Sequence, residues 1–410
     1  MLNASGKHID MYDVVISGCG PAGSNAAYKC ATSGLKVLMI DRDEFPRKKC
    51  CAGGLLERAS SLVPDFSSEL IEKEIYGAKF VMGDESIEIK SDRRVAVTVK
   101  RESFDTFLLN RAIDAGAESI TGQRVVKAVE KNDFVNVTYG NEIVSSKLFI
   151  VAEGASSRVA NSLFGVPSSD SRAVAMAQNL DVEKDPGDNF VIYTIGRSPL
   201  KPRLKNRYPS YGWAFPRKNQ VNIGVGGICY PTDYLKQSMD RVYKHIDSQL
   251  HVISSEESRA HPIPYAVRDK LYTKRCMVAG DSAGLASSLS GEGFTYAILS
   301  GLDAGAAAVD FINCSSALSD AYGSRLKSDI FPYLRSSNLA ARLIALSASF
   351  CSIPSLVKEF SSDYLVQKTC IEYVIGKCDW TKLFFACLKK FPKALANSLG
   401  HPLVPEPPIF

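Results

Sequence analysis

Three segments of this 410-residue chain pair glycines with acids or thiols at spacings that could do chemistry. Gly18-Cys19-Gly20-Pro21-Ala22-Gly23 has the spacing of a phosphate-binding turn. The first glycine permits the tight turn, the second lets backbone approach a pyrophosphate, and the third brings helix against strand. Asp41, about 20 residues further on, is placed to accept from the ribose hydroxyls of an adenosine, and an acid there disfavours a 2′-phosphate. A second acid, Asp281, lies in Gly280-Asp281-Ser282-Ala283-Gly284, and Lys49-Cys50-Cys51-Ala52-Gly53-Gly54-Leu55 sets two thiols before two glycines.

These residues need particular elements to hold them. Residues 12–17 read as a short β-branched buried strand, 22–33 as an alanine-rich helix ending at Gly34, and 36–40 as a second strand closed by Asp41. A glycine turn alone occurs in many loops; here strand, turn, helix, strand and acid come in order, as a β-α-β nucleotide unit requires. The unit by itself does not separate NAD from FAD. Downstream, Arg275-Cys276-Met277-Val278-Ala279 reads as a buried strand leading into the Asp281 segment and a small-residue helix. An acid there can bind a ribityl chain, and the helix N-terminus offers positive potential to the edge of a flavin ring. An Asp capping an ordinary helix spells the same letters. FAD is the expected cofactor, held between Asp41 and Asp281.

Composition narrows the class. Hydrophobic residues are 45% and charged residues 23%, the balance of a folded globular chain long enough for two or three packed units and a large ligand. The net charge of +5 is modest and, apart from Arg47-Lys48-Lys49 and Lys389-Lys390, scattered, which argues against nucleic acid as a partner. Eleven cysteines, with no CxxC pair and no Cys/His cluster, read as reducing cytoplasm without a metal site. No stretch reaches the ~18 apolar residues of a spanning helix, so any membrane contact is expected to be peripheral.

With these segments in hand, the sequence resembles the geranylgeranyl reductases, within the p-hydroxybenzoate hydroxylase-like group of FAD proteins, over residues 11–330. Besides Gly18, Gly20, Pro21, Ala22, Gly23 and Asp41, the matching segments include the cysteine and glycine loop, in which Cys51 takes the place of the family's cysteine and Ala52 stands where a glycine is expected before Gly53. Arg101-Glu102-Ser103-Phe104-Asp105, heading a helix over 106–115, resembles a segment whose arginine lies beside the cofactor; a capped helix with a surface charge is the bland alternative. Glu153-Gly154-Ala155-Ser156-Ser157 resembles a strand-end motif, with Glu153 replacing the usual Asp. Ser290-Gly291-Glu292-Gly293-Phe294 resembles the glycine loop against the flavin face. The resemblance implies Arg42, Cys51, Ala52, Gly53, Arg101, Val125, Gly154, Asp281, Gly291, Gly293 and Phe294 as further cofactor contacts. Tyr211-Gly212-Trp213-Ala214-Phe215-Pro216 is similar to the segment lining the family's substrate cavity, which implies Tyr211, Trp213, Phe215 and Pro216 as substrate contacts. Aromatics alternating along a strand do face one side, as a wall for an apolar chain needs, although such a stripe is often plain core.

The fold expected is α/β plus α+β. A Rossmann-like FAD-binding domain (1–75, 100–170 and 265–330) carries an inserted, mainly antiparallel sheet domain for substrate (76–99 and 171–264) and a helical C-terminal cap (331–410). Strands are expected at 78–82, 86–90, 173–182, 190–195 and 220–226, and a basic loop at 196–210, either a lid or phosphate contact or a solvated hairpin connection. The cap is read as helices interrupted by Pro332, Pro354 and Pro392. Its stretch 380–388, running into Lys389, Lys390 and Lys393, suits either a bilayer surface or, the favoured reading, packing on its own protein.

The resemblance implies hydrogenation of isoprenoid double bonds in archaeal-type membrane lipids, prenyl diphosphates or prenylated quinones. Reduced flavin would supply hydride, Cys51 a proton, and the aromatic wall stabilisation of positive charge. A buried structural thiol is the plainer reading of Cys51. The histidines His8, His245, His251, His261 and His401 fall outside every motif. No second GxGxxG is present, which leaves ferredoxin, a reduced deazaflavin or NAD(P)H as electron donor. The competing readings are a flavin monooxygenase on an apolar substrate and a flavoprotein passing electrons to a membrane quinone. The expected location is cytoplasmic, with peripheral membrane contact at most.

Overall fold

The run Val14-Val15-Ile16 is wholly buried, as a parallel strand covered on both faces requires. In the computed structural model it lies in the strand Met11–Ser17. Described are residues 11–83, 85–167, 172–195, 210–228, 230–347, 353–378 and 380–399. The expected lid loop up to residue 209, the proline-rich tail, His8 and His401 lie outside them. The chain divides into two units, Met1–Lys49 with Arg101–Arg172 and Ile263–Leu334, and Cys50–Lys100 with Ala173–Pro262 and Arg335–Phe410.

The first unit is a Rossmann-like layer. Its seven-stranded sheet runs Glu118–Ile120, Val37–Ile40, Met11–Ser17, Glu142–Val151, Val135–Tyr139, Val125–Glu130, with Cys276–Val278 also on Glu142–Val151. The long strand Glu142–Val151 serves two partners along one edge: its first half pairs antiparallel with Val135–Tyr139, its last three residues parallel with Cys276–Val278. That splice brings the segment before Asp281 within one strand of the glycine turn, Glu142–Val151 lying between Cys276–Val278 and Met11–Ser17.

Helix Pro21–Thr32 packs on helix Phe294–Cys314, and glycine makes the approach possible. A Cβ on Gly301 would stand 2.2 Å from the Ala22 carbonyl oxygen, and one on Gly305 2.7 Å from that of Ala26. Phe294–Cys314 is by length and composition long and apolar enough to cross a membrane, and its Tyr296, Ala304, Ala307 and Ala308 are buried in this unit's core. The expected helix directly after Asp281 is corrected here. Gly280 and Gly284 take left-handed φ of 60° and 78°, so Asp281 lies in a single 3-10 turn, Gly280–Ala283, and the long helix starts only after Gly293.

In the second unit an eight-stranded sheet runs Val252–Ser255, Arg172–Val182, Gln220–Gly227, Ser210–Pro216, Asn189–Ile195, Gly77–Met82, Glu85–Lys90, with Arg259–Pro264 on Arg172–Val182. From Val252–Ser255 to Glu85–Lys90 neighbouring strands are antiparallel except where Asn189–Ile195 meets Gly77–Met82 in parallel. Helix Thr232–Leu250 covers one face, its Leu235, Met239 and Val242 buried with Ala214, Ile223 and Val225. A small sheet of Gly54–Leu56, Ala96–Val99 and Ile71–Ile75 belongs to this unit, as do the helices Ile353–Ser362, Tyr364–Val374 and Trp380–Leu399. The division therefore differs from the expected one in placing residues 50–75 and the C-terminal helices here. Pro354 sits in a first helical turn, where a missing N–H costs little, but Pro392 lies inside Trp380–Leu399 and does not end it.

One buried acid in the first unit serves no obvious structural end. Asp303 is 7% exposed, and its Oδ2 has no hydrogen-bond partner among the described residues. Burial first, then the nearby Asp329, push its carboxyl up to about 7, against the pull of Arg325. That guanidinium is engaged by Asp310 at 2.8 Å. The folded state thus holds this proton more tightly than the unfolded chain, and stability is expected to fall as pH rises from 3.8 to about 7. Asp303→Asn should raise the melting temperature at pH ~8, with a gain of roughly 1–3 kcal/mol, and flatten the acid-to-neutral stability profile. Denaturant melts of both proteins across that range check it; parallel profiles would contradict it.

Candidate active site

The glycine turn is built by exclusion of side chains. A Cβ on Gly18, whose φ is 99°, would stand 2.2 Å from the Ala152 carbonyl oxygen, and one on Gly23 1.8 Å from that of Gly18. Ala22, Ala152, Ala279 and Ala297, from four separate segments, pack together against the turn. Larger residues would push these backbones apart. Asp41 is 7% exposed, and its two carboxylate oxygens accept from the backbone N–H of Cys19 at 2.6 Å and of Asp43 at 2.9 Å. Each oxygen keeps a lone pair for a ribose hydroxyl.

A second group gathers positive charge. Arg101 donates to both oxygens of the buried Asp105, at 2.9 and 2.7 Å, and Arg47 reaches the same carboxylate at 3.1 Å. The Arg101 guanidinium also lies 4.7 Å from the centre of the Phe294 ring, which Phe104 meets edge-on. Arg47 Nη2 is 3.1 Å from where a Cβ on Gly20 would be, so it points at the turn. Its Nε is buried without a hydrogen-bond partner among the described residues. Lys49 Nζ stands 3.7 Å from Asp281 Oδ2 and 3.7 Å from where a Cβ on Gly154 would be. Burial lowers the Lys49 pKa, Asp281 opposes the shift, and Arg101 adds to it. Three cations and two carboxylates thus make up this group, while Asp41, a third carboxylate, is bound to the N–H of Cys19 within the turn.

Several expected residues converge on this cradle: Gly18, Gly20, Pro21, Ala22, Gly23, Asp41, Arg101, Gly154, Asp281, Gly293 and Phe294. Ser282 Oγ donates to the Gly154 carbonyl at 2.9 Å, and a Cβ on Gly293 would stand 3.2 Å from Asp281 Oδ1. Gly291 takes a left-handed φ of 65° in the loop before Gly293. Arg42 is different, its side chain 47% exposed and paired with Asp43. Val125 is a core residue of the sheet, 5% exposed. Glu153, whose pKa is raised by burial, accepts from Ser157, which in turn caps helix Arg158–Phe164. Arg47 and Lys49 were not among the expected contacts; their signal was the basic trio just before the cysteine loop.

Cys51, Ala52 and Gly53 belong to the second unit, with the aromatic strand. Tyr211, Trp213 and Phe215 share one face of Ser210–Pro216, while Gly212 and Ala214 face the covering helix. Trp213 lies over Gly224, where a Cβ would stand 2.0 Å from its ring, and its Nε1 donates to Asn222 Oδ1 at 2.9 Å. Phe215 stacks on Phe190 at 3.9 Å between centroids, and a Cβ on Gly54 would stand 2.8 Å from its ring. A Cβ on Gly53 would meet Arg217 Nη2 at 3.2 Å, and Thr98 Oγ1 donates to the Pro216 carbonyl at 2.7 Å. The glycines of the cysteine loop therefore press directly on the end of the aromatic strand. The half-buried thiol of Cys51 accepts from the Gly53 N–H at 3.5 Å. Among the described residues no group of acids, histidines and cysteines could hold a metal ion.

Comparison with known proteins identifies what this arrangement belongs to. Residues 12–193 match the pyridine nucleotide-disulphide oxidoreductase family. Over 319 residues the chain is 30% identical to geranylgeranyl diphosphate reductase of Rhodobacter capsulatus, across 73% of this chain and 76% of that protein. The chain belongs to the geranylgeranyl reductase family. It is an FAD-dependent oxidoreductase. Digeranylgeranylglycerophospholipid reductase of Methanococcus vannielii is 27% identical over 347 residues, 79% of this chain and 84% of that protein. The crystal structure of a geranylgeranyl bacteriochlorophyll reductase-like protein from Thermoplasma acidophilum shares the fold, with a TM-score of 0.74, 22% identity and coverage of 95% of this chain and 99% of that one.

The first unit fits FAD on its own geometry: a turn no side chain can enter, an acid for ribose, and cations gathered at the turn for a pyrophosphate. Lys49→Met is expected to weaken FAD binding about 5–30-fold, the order for one lost charge-assisted contact. Titration of apoprotein with FAD measures it, and an unchanged Kd would take Lys49 out of the cradle.

Proposed function

We propose that this family member hydrogenates isoprenoid double bonds, of the kind carried by the geranylgeranyl chains of archaeal-type membrane lipids or by their prenyl diphosphate precursors. The observation that carries the reading is the similarity to the Rhodobacter geranylgeranyl diphosphate reductase, together with an aromatic strand held rigidly beside the cysteine loop. Reduced FAD, when bound, supplies a hydride. The chain's own task is then to hold an apolar chain, tolerate the positive charge that develops on one alkene carbon, the carbon that takes the hydride, and deliver a proton to the other.

Tyr211, Trp213 and Phe215 suit the first two tasks, since aromatic faces are apolar and carry negative potential at their centres. Tyr211 and Trp213 stand 6.0 Å apart between ring centroids, and Phe215 continues the row. A thiol suits the third. Cys51 is a half-buried free cysteine within three residues of the Gly54–Phe215 contact, and none of the described histidines belongs to that loop or to the aromatic strand. The electron donor is proposed to be a ferredoxin, a reduced deazaflavin or NAD(P)H, delivering electrons from outside the chain.

Dithionite-reduced protein should be incubated without oxygen with an unsaturated digeranylgeranyl lipid, geranylgeranyl diphosphate and menaquinone, and the products weighed by mass spectrometry. A gain of two hydrogens per reduced bond is expected on the lipid or diphosphate. Reduction of the quinone ring with an unchanged prenyl mass, or substrate-dependent oxygen uptake, would overturn the reading. Cys51→Ala should slow prenyl reduction roughly 10²-fold while FAD binding stays intact, the order for losing a positioned general acid. Full turnover would leave Cys51 a structural thiol.

A further inference from the structure

The two last helices of the second unit, Tyr364–Val374 and Trp380–Leu399, leave several large apolar residues exposed. Leu383 and Ala386 of the latter and Val366 and Tyr373 of the former are buried. Phe385 and Leu388, by contrast, are 53% and 43% exposed, and Tyr364 and Leu365 76% and 44%. Two ion pairs run the helices side by side in opposite directions, Lys382 with Glu372 at 2.8 Å and Lys390 with Asp363 at 2.7 Å. The second pair puts Tyr364 and Leu365 next to Leu388 and Lys389, all exposed and all within two residues of the bridge. Trp380–Leu399 carries four lysines and no acid, and the two acids that border it on the neighbouring helix, Asp363 and Glu372, are already taken by Lys390 and Lys382. Lys389 and Lys368 are exposed around the apolar residues.

We propose that this face docks on an anionic phospholipid bilayer. A helix with one packed side and a second side that mixes large apolar residues with lysines lies stably in a headgroup layer: the apolar side chains enter the acyl boundary and the lysines meet lipid phosphates. The charge is one-sided, which suits a uniformly anionic surface. A protein partner or a second copy of this chain would have to present a matching acidic rim.

The test uses full-length holoprotein in flotation with vesicles of phosphatidylcholine alone and of phosphatidylcholine mixed with phosphatidylglycerol. Neither lipid contains an isoprenoid chain, so the outcome is independent of the reductase reading, and failure here leaves that reading standing. Binding is expected only to the anionic vesicles and should weaken with salt. Lys368→Glu with Lys389→Glu should lower it about ten-fold or more, since each basic residue near such a surface adds appreciably to binding. Phe385→Ser with Leu388→Ser should lower it even in low salt, while FAD content stays equal to the parent's. The proposal is overturned if the anionic vesicles float no protein, if neither double variant changes binding, or if the protein self-associates through Phe385 and Leu388 in light scattering.

Discussion

The whole nucleotide unit depends on backbones that touch where a methyl group would not fit. Gly18 against the Ala152 carbonyl, Gly23 against the Gly18 carbonyl, and Gly301 against the Ala22 carbonyl are three such contacts, and each joins a different pair of segments. Together they fix strand Met11–Ser17, helix Pro21–Thr32 and helix Phe294–Cys314 as one block. Close-packed interiors tolerate no extra methylene without movement, so these glycines set the position of everything attached to the block. Asp41, at the end of the second strand, and Asp281, in the turn after the last strand, inherit their places from it.

Charge is distributed on that frame with an economy that makes sense for a cofactor carrying two phosphates. Two arginines share Asp105, so neither is fully neutralised, and Lys49 has only a longer contact with Asp281. A cluster balanced within itself would gain little from an incoming anion. Burial penalises the charged lysine, and a phosphate would relieve that penalty by adding the negative charge the protein withholds.

Much of the first unit was legible in the sequence because its signals are local: a β-branched strand, a glycine turn, an alanine helix and an acid at fixed spacing. The misses have a common cause. The turn after Asp281 was read as a helix start because small residues carry no period; two left-handed glycines, visible only in the backbone, end it after one turn. Pro392 was read as a helix end, yet Trp380–Leu399 runs through it, because packing on neighbouring helices outweighs the one lost hydrogen bond. Arg47 and Lys49 carry no motif of their own, and their importance arises from Asp105 and Asp281, partners far along the chain. The split between buried Leu383 and exposed Phe385 in an evenly apolar stretch likewise depends on what the fold sets against each side.

The aromatic strand shows how an apolar substrate can be selected without polar contacts. An alkene offers no hydrogen-bonding group, so a site on the isoprenoid reading must discriminate by shape, and shape requires rings that do not swing. The polar residues around the strand serve that end. Trp213 donates to Asn222, Asn222 donates to Asn179 at 2.7 Å, and Arg217 donates to the same Asn179 oxygen at 3.0 Å, a chain of bonds that fixes the indole from beneath. Phe215 is stacked on Phe190, and the bare backbone of Gly54 abuts both rings, where a Cβ would stand 2.8 Å from one and 3.1 Å from the other. Removing Asn222 would therefore cost the site its rigidity before it cost any contact with substrate, because Trp213 would keep its place over Gly224 but lose the bond that sets its angle.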